Sequence, residues 1–222
     1  MKLVVVGGVA AGMSTAARAR RLDESAEIVV FEKAHHVSFA NCGLPYHIGD
    51  VITDRSRLLL QTPESLRESL NLDVRTSTEV IAIDPKKKSV KVRELETGRE
   101  YTESYEKLAL CMGAEAIRPS LPGIDSPSVH VLRRIGDMDD IRLDVDQALT
   151  VAKNAKEKPV AIVVGGGYIG VEMAENLIHR GMTVHLIEMS DQLLPPLDRE
   201  MSVPVQQHME SRGVVLHLGS AV

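Results

Sequence analysis

The chain has no tryptophan, only 3% aromatic residues, and two cysteines in 222 residues. So few rings leave little for bases to stack on, which argues against a single-stranded nucleic-acid platform. Lys and Arg total 26 against 31 Asp and Glu, a formal net charge of −5. The bulk basic surface of a nucleic-acid binder is therefore missing as well. Cys42 and Cys111 are too few for a disulfide framework or a cysteine-rich zinc site. The pair His35-His36 has no further ligands near it at metal spacing, so it reads as a surface turn and no metal site is expected. No run of about 18 apolar residues occurs, so no membrane span is expected. Met1 to Val6 lead straight into glycine. That leaves no room for a signal peptide, and a cytoplasmic location is expected. What remains, 44% hydrophobic and 26% charged residues, is the balance of a folded globular protein.

The apolar pattern has an α/β rhythm. Leu3–Val6 reads as a strand buried on both faces, the Ala- and Arg-rich stretch to Leu22 as a helix, and Glu27–Phe31 as a parallel strand. A helix is predicted over Pro63–Leu70. A β-meander follows over Glu79–Ile83, Ser89–Arg93 and Glu100–Thr102, with turns marked by Asp84-Pro85 and Thr97-Gly98, and then a strand at Lys107–Cys111. After a helical region from Ile135 to Asn154 the opening pattern repeats: strand Val160–Val164, glycine turn, helix Val171–Arg180, strand Thr183–Ile187. The expected fold class is α/β, with two Rossmann-like dinucleotide-binding units, parallel sheets and a β-meander crossover. The expected units are 1–118 and 119–222, the second incomplete, joined near 117–125.

The second glycine turn is the more regular. Gly165-Gly166-Gly167-Tyr168-Ile169-Gly170 satisfies the Gly-x-Gly-x-x-Gly pattern between a strand and a helix. Gly165 permits the tight turn, Gly167 lets a pyrophosphate approach the backbone, and Gly170 lets helix and strand pack closely. Glu188 lies eighteen residues past Gly170, where a strand-end carboxylate would accept ribose hydroxyls and repel a 2′-phosphate. No Arg follows it directly, which favours NADH over NADPH. In the first turn, Gly7-Gly8-Val9-Ala10-Ala11-Gly12, valine replaces the central glycine, and Glu32 follows Gly12 by twenty residues. A β-branched residue there is compatible with phosphate if its side chain points away.

Cys42 stands in Ser38-Phe39-Ala40-Asn41-Cys42-Gly43-Leu44-Pro45-Tyr46. Pro45 is tolerated only in the first turn of a helix, so a helix is expected to begin at Asn41 or Cys42. A thiol so placed has a stabilised thiolate and is a candidate for reaction; the alternative is a small buried hydrophobe. Cys111, ending a strand, reads as structural.

Together, the Gly7–Gly12 turn with Val9, the strand end Phe31-Glu32-Lys33, the segment from Ser38 to Tyr46, and the turn Gly165–Gly170 resemble the flavoprotein pyridine nucleotide–disulfide oxidoreductases. The similarity is to their single-cysteine branch of coenzyme A disulfide reductase, NADH-dependent persulfide reductase and NADH oxidase. The resemblance runs over the whole chain. It implies FAD at the first unit, held by Gly7, Gly8, Val9, Ala10, Ala11 and Gly12, with Glu32 at the ribose, Lys33 and Val80 flanking the adenine, and Gly113 near the flavin. Cys111-Met112-Gly113 departs from the family's usual turn there. The resemblance implies NADH or NADPH at Gly165, Gly167, Tyr168, Ile169, Gly170 and Glu188, with Tyr168 as an aromatic gate and Glu172 near the nicotinamide. It makes Cys42 the redox-active thiol.

Two-cysteine relatives carry a Cys-x-x-x-x-Cys pair, but position 47 here is His47, so Cys42 would pair with external sulfur. Ser14, Arg18 and Arg21 form one helical stripe. By resemblance this stripe, with Ser38 and Asn41, would contact coenzyme A; a family lysine contact is Leu70 here. The expected partner is thus a small, coenzyme A-linked disulfide or persulfide. The alternatives are an NADH oxidase reducing oxygen or peroxide through a cysteine sulfenic acid, and an inactive truncated nucleotide-binding module. Family members are about twice as long and the full enzyme is expected to be a homodimer, so the chain reads as an N-terminal part.

Overall fold

Three valines in a row commit the first strand, β1 (Lys2–Val6), to burial on both faces. The computed structural model describes residues 1–222. After β1 the chain turns at Gly7, forms α1 (Ala10–Leu22), and returns as β2 (Glu27–Phe31), parallel to β1. A 3-10 turn over Asn41–Gly43 and the short α2 (Leu44–Ile48) follow. Local chemistry sets both ends of α3 (Pro63–Leu70). Thr62 and Ser65 form a capping box around Pro63, and Asn71 ends the helix in the left-handed region. β3 (Asp73–Arg75) joins the sheet beside β2. The antiparallel meander β4 (Thr78–Asp84), β5 (Ser89–Glu94) and β6 (Glu100–Ser104) leads to β7 (Lys107–Leu110). β7 pairs with the free side of β1, so the parallel sheet runs β3-β2-β1-β7.

The sheet divides its core in two. On one face Leu3, Val5, Ile28 and Val30 pack with Met13 and Ala16 of α1 and Leu66 of α3. On the other, Val4, Val29 and Phe31 pack against Val90 and Val92 of the meander. This is why β1 and β2 read as unbroken apolar runs while β5 alternates.

The later part of the chain contains α4 (Ile135–Ala155), β8 (Val160–Val164), α5 (Tyr168–His179), β9 (Thr183–Ile187), α6 (Arg199–Ser211) and β10 (Val215–His217). Its parallel sheet has the order β10-β9-β8. The first three strands of the earlier sheet are thus repeated. In β9, Val184 and Leu186 are buried, while Val160, Ile162 and Val164 of β8 are exposed. Their counterpart Val4 is the residue that the meander covers in the first sheet.

The predicted α/β class, parallel sheets and meander are all present. α5 starts at Tyr168, three residues before the predicted Val171, because Gly167 is its N-cap and the helix springs directly from the glycine turn. The chain packs as two units, one of residues 1–40 with 56–115 and the other of residues 41–55 with 116–222. The division after Glu115 lies close to the expected connection, but a single cut at 118/119 does not describe the segment 41–55, which is grouped with the second unit.

Gly12 and Gly170 perform the same task in the two repeats. A Cβ on Gly12 would lie 1.7 Å from the Gly7 carbonyl oxygen, and one on Gly170 would lie 1.9 Å from that of Gly165. A Cβ on Gly167 would meet nothing within 4 Å. Gly170→Ala is therefore expected to destabilise the chain by about 1–3 kcal/mol. Gly167→Ala is expected to leave the melting temperature unchanged, and thermal melts of the two variants check this contrast.

Candidate functional site

The two glycine turns are built alike. Gly7 and Gly165 begin them at φ +105° and +102°, a conformation that a side chain would strain. Each donates its N–H to the last residue of the neighbouring strand, Gly7 to Phe31 O and Gly165 to Ile187 O, both at 2.8 Å. The helices that follow have N-caps Val9 and Gly167, and no side chain caps either one. The first-turn N–H groups are thus free of side-chain partners, and the positive end of each helix faces out of its turn. Val9 is half-buried, and Ala10 and Ala11 beyond it are exposed.

The strand-end carboxylates lock these turns. Glu32 accepts Gly8 N–H at 2.6 Å on one oxygen and Ala34 N–H at 2.8 Å on the other. Glu188 repeats this with Gly166 N–H at 2.6 Å and Ser190 N–H at 2.7 Å. Each glutamate is 9% exposed. Burial opposes the charge on Glu188, but the N–H groups of Ser190 and Gly166 outweigh it and hold the carboxyl below its usual range. A Cβ at Gly166 would lie 3.1 Å from Glu188 Cβ, and one at Gly8 would lie 3.0 Å from Glu32 Cβ. Leu193 Cδ2 at 2.7 Å from the Gly166 position and Val37 Cγ1 at 2.9 Å from the Gly8 position crowd the same space, so the glutamate and its apolar neighbour together favour glycine there. Each carboxylate keeps further lone pairs.

Around the first turn, Ser38 donates its N–H to Gly8 O at 2.9 Å and has φ +46°. Cys111 donates to Val6 O, and its carbonyl lies where a Cβ on Gly7 would fall. Exposed Lys33 pairs with Glu79 at 2.9 Å, Val80 packs on the meander core, and Gly113 adopts φ +72° just after β7. Ser14, Arg18 and Arg21 all lie exposed on α1. Arg20, between them in sequence, is buried and spends its guanidinium on the carbonyls of Leu70, Asn71 and Glu24.

In the second unit, Tyr168 and Ile169 are exposed at the start of α5. Glu172 has its carboxyl pushed up by burial and then by the charge of Glu175. Cys42 is exposed in the 3-10 turn. The α-helix begins only at Leu44, two or three residues later than the expected start at Asn41 or Cys42, with Pro45 in its first turn. A five-residue helix carries only part of a macrodipole, so exposure is the feature that marks Cys42 for reaction. Tyr46 ties these residues into one neighbourhood. Burial raises its hydroxyl above the ordinary value, and the charges of Glu172, Glu175 and Cys42 add to the effect.

Sequence reading passed over what holds this segment. His47 and Ile48 give their carbonyls to Arg142 and Arg180, and Gly49 O meets His179 Nδ1 at 2.7 Å. Asp50 meets Arg142 at 2.5 Å and Arg180 Nε at 3.3 Å. Burial works against its charge, yet the Arg142 hydrogen bond and the two guanidiniums hold it below the usual carboxylate range. No local signal in the sequence marks these residues.

A family model described as pyridine nucleotide-disulphide oxidoreductase matches residues 1–222. The chain belongs to this family. It is 39% identical over 221 residues to a coenzyme A disulfide reductase of Staphylococcus haemolyticus, covering 100% of this chain and 48% of that protein. It therefore spans about half the length of the curated relatives it matches. Among solved structures it is similar to reduced Bacillus anthracis CoADR-RHD, with TM-score 0.92, 45% identity, and coverage of 100% of this chain and 38% of that one. The water-forming NADH oxidase of Lactobacillus brevis, solved with NADH, gives TM-score 0.90 at 32% identity, covering 100% and 47%. A NAD-dependent persulfide reductase of A. fulgidus gives 0.89 at 34%, covering 100% and 40%. These three structures thus share the fold found here.

The Glu188 lock has a consequence for pH. A carboxylate held below its unfolded value contributes stability above that value and loses it as pH falls through the folded one. Melting temperature is therefore expected to fall on acidification below about pH 5. Glu188→Gln is expected to flatten that fall while lowering the plateau at neutral pH, as read from thermal melts across the acid range.

Proposed function

We propose that the chain is the nucleotide-binding and cysteine-bearing part of a flavin-dependent NAD(P)H oxidoreductase that reduces coenzyme A-linked disulfide or persulfide. The observation that carries this reading is the state of the two cysteines. Cys42 is exposed and free in a turn, Cys111 is a half-buried strand end, and position 47 is a buried histidine. Cys42 therefore has no resident partner at the family's spacing, and its substrate is sulfur from outside.

The residues fit the cofactors this reading requires. Gly7, Gly8, Val9, Ala10, Ala11 and Gly12 would hold the FAD pyrophosphate at the start of α1, where no side chain caps the helix, with Glu32 turning its remaining lone pairs to the ribose. Lys33, Val80 and Gly113 would border the same cofactor. Gly165, Gly167, Tyr168, Ile169 and Gly170 would hold the nicotinamide dinucleotide, with Glu188 at its ribose and Glu172 near its reactive ring. The open space over Gly167 supports this assignment. So does Glu188, a carboxylate that favours NADH over NADPH. When bound, the flavin supplies two-electron relay between nicotinamide and sulfur.

Cys42 carries the sulfur chemistry. Its thiolate attacks a disulfide RS–SR, forming a Cys42–SR bond and breaking the S–S bond, and RS⁻ leaves and takes a proton. Two electrons and a further proton then return Cys42 to the thiolate and release the second RSH. The net change is RSSR + NADH + H⁺ to 2 RSH + NAD⁺. Ser14, Arg18 and Arg21 offer one exposed hydroxyl and two guanidiniums on a single helix stripe, a chemistry suited to the phosphates of coenzyme A. Ser38 and Asn41 would lie nearer the reacting sulfur. The same proposal includes a homodimer working in the cytoplasm; no helix is long and apolar enough to cross a membrane. The likeness to a water-forming NADH oxidase favours one alternative, in which Cys42 cycles through a sulfenic acid.

Cys42→Ser is expected to abolish NADH consumption driven by coenzyme A disulfide while FAD stays bound. Unchanged turnover would remove Cys42 from the mechanism. In the parent chain, consumption of oxygen without disulfide would favour the oxidase, and nucleotide binding with no turnover would identify a binding module. Reversing charge at Arg18 and Arg21 to Glu is expected to raise KM for coenzyme A disulfide by about tenfold or more. It should leave KM for a small uncharged disulfide unchanged, and steady-state kinetics on the two substrates checks this.

A further inference from the structure

The chain enters the second unit and leaves it again within the fifteen residues 41–55, the segment that bears Cys42. A stretch this short, with a single turn of α-helix, buries too little to hold a fixed shape by itself. Its α-helix also ends without enough partners of its own. Three consecutive carbonyls at that end, those of His47, Ile48 and Gly49, accept from Arg142, Arg180 and His179. Helix C-termini favour cationic donors. Here the donors come from two other helices and converge on one turn.

Arg180 stands at the centre of this arrangement. It is the C-cap residue of α5. Its side chain is 9% exposed. It donates to Ile48 O at 2.7 Å, lies 3.3 Å from Asp50, and pairs with Asp146 of α4. The contacts elsewhere on the segment are of the same kind. A Cβ on Gly49 would lie 2.0 Å from Asn176 Oδ1 of α5, and Arg55 makes a two-pronged bond to Asp139 of α4 at 2.8 and 2.7 Å. α5 starts on the second glycine turn at Gly167 and ends at this clamp, so one rigid element, about 18 Å long at 1.5 Å per residue, carries the nucleotide turn at one end and the cysteine segment at the other.

We infer that Arg180 is a positioning residue: from the end of α5 it fixes the α2 segment, and so holds the Cys42 thiol in register with the glycine turn at the start of the same helix. This rests on Cys42 being the reactive sulfur, and Arg180 acts on it only through the backbone of residues 42–49.

The test is amide hydrogen exchange and thiol alkylation on the full chain, with Arg180→Ala and Arg180→Lys. Loss of a buried charged hydrogen-bond set is expected to speed exchange over 44–52 by about tenfold or more. Exchange in β8 and β9 should stay as in the parent. Iodoacetamide should alkylate Cys42 faster in Arg180→Ala, with Cys111 as the unchanged internal reference. Arg180→Lys, which keeps the charge but not the fork, should give an intermediate rise, and it carries the same test if Arg180→Ala does not fold. Unchanged exchange over 44–52, unchanged Cys42 alkylation, or acceleration spread evenly through the second unit overturns the inference; the last would make Arg180 a general stabiliser. Turnover by Cys42→Ser sinks the sulfur assignment alone, because the exchange result does not depend on that thiol.

Discussion

Two buried carboxylates decide the form of this molecule. Glu32 and Glu188 sit at the ends of β2 and β9 and each reaches across to the middle glycine of the turn beside it. A glycine-rich turn is entropically costly to order, and its N–H groups point away from any strand ladder. Supplying one charged acceptor to the turn and using its second oxygen on the chain just after the strand settles both matters at once. It also ties adjacent strands together at the end where an open parallel sheet binds its ligands. The bond comes with a tight fit: a Cβ on Gly8 would meet Val37 Cγ1 at 2.9 Å and Glu32 Cβ at 3.0 Å, and one on Gly166 would meet Leu193 Cδ2 at 2.7 Å and Glu188 Cβ at 3.1 Å. The same few atoms thus explain a glycine, a glutamate and the spacing between them, twice.

The two repeats differ in what surrounds them. In the first, a meander covers the sheet face opposite the helices, and Val4, Val29 and Phe31 are sealed against Val90 and Val92. In the second, the matching row on β8 faces outward. The second repeat instead receives the short segment of residues 41–55, which buries Leu44 and Ile48 and is held at its end by polar bonds to carbonyls. A segment so held can be exposed at Cys42 and still be fixed in place.

Much of this was legible in the sequence because the signals are local. The runs Leu3–Val6 and Val160–Val164, the glycine spacings, and Pro63 behind Thr62 each settle their element within a few residues. β3 was not legible, since three residues cannot show a period. The start of α5 was missed because the turn glycine itself serves as N-cap. The α-helix at Leu44 was expected two or three residues too early, at Asn41 or Cys42, because Pro45 limits where a helix can begin without saying that a 3-10 turn precedes it. The clamp was invisible for a different reason. His47 O and Arg142 are 95 residues apart in sequence, and Ile48 O and Arg180 are 132 apart. Arginines on a helix look the same whether they face solvent or a distant carbonyl. In the same way, Arg20 could not be told from Arg18 and Arg21 without the fold.

The way the chain is threaded has a practical corollary. The backbone passes between the units at 40/41, 55/56 and 115/116, so three covalent tethers join them where a simple tandem arrangement has one. Dissection at a single peptide bond cannot yield the second unit whole. A cut after Glu115 strands the cysteine-bearing excursion on the wrong fragment, and a faithful second unit would need residues 41–55 grafted onto 116–222 by an engineered linker.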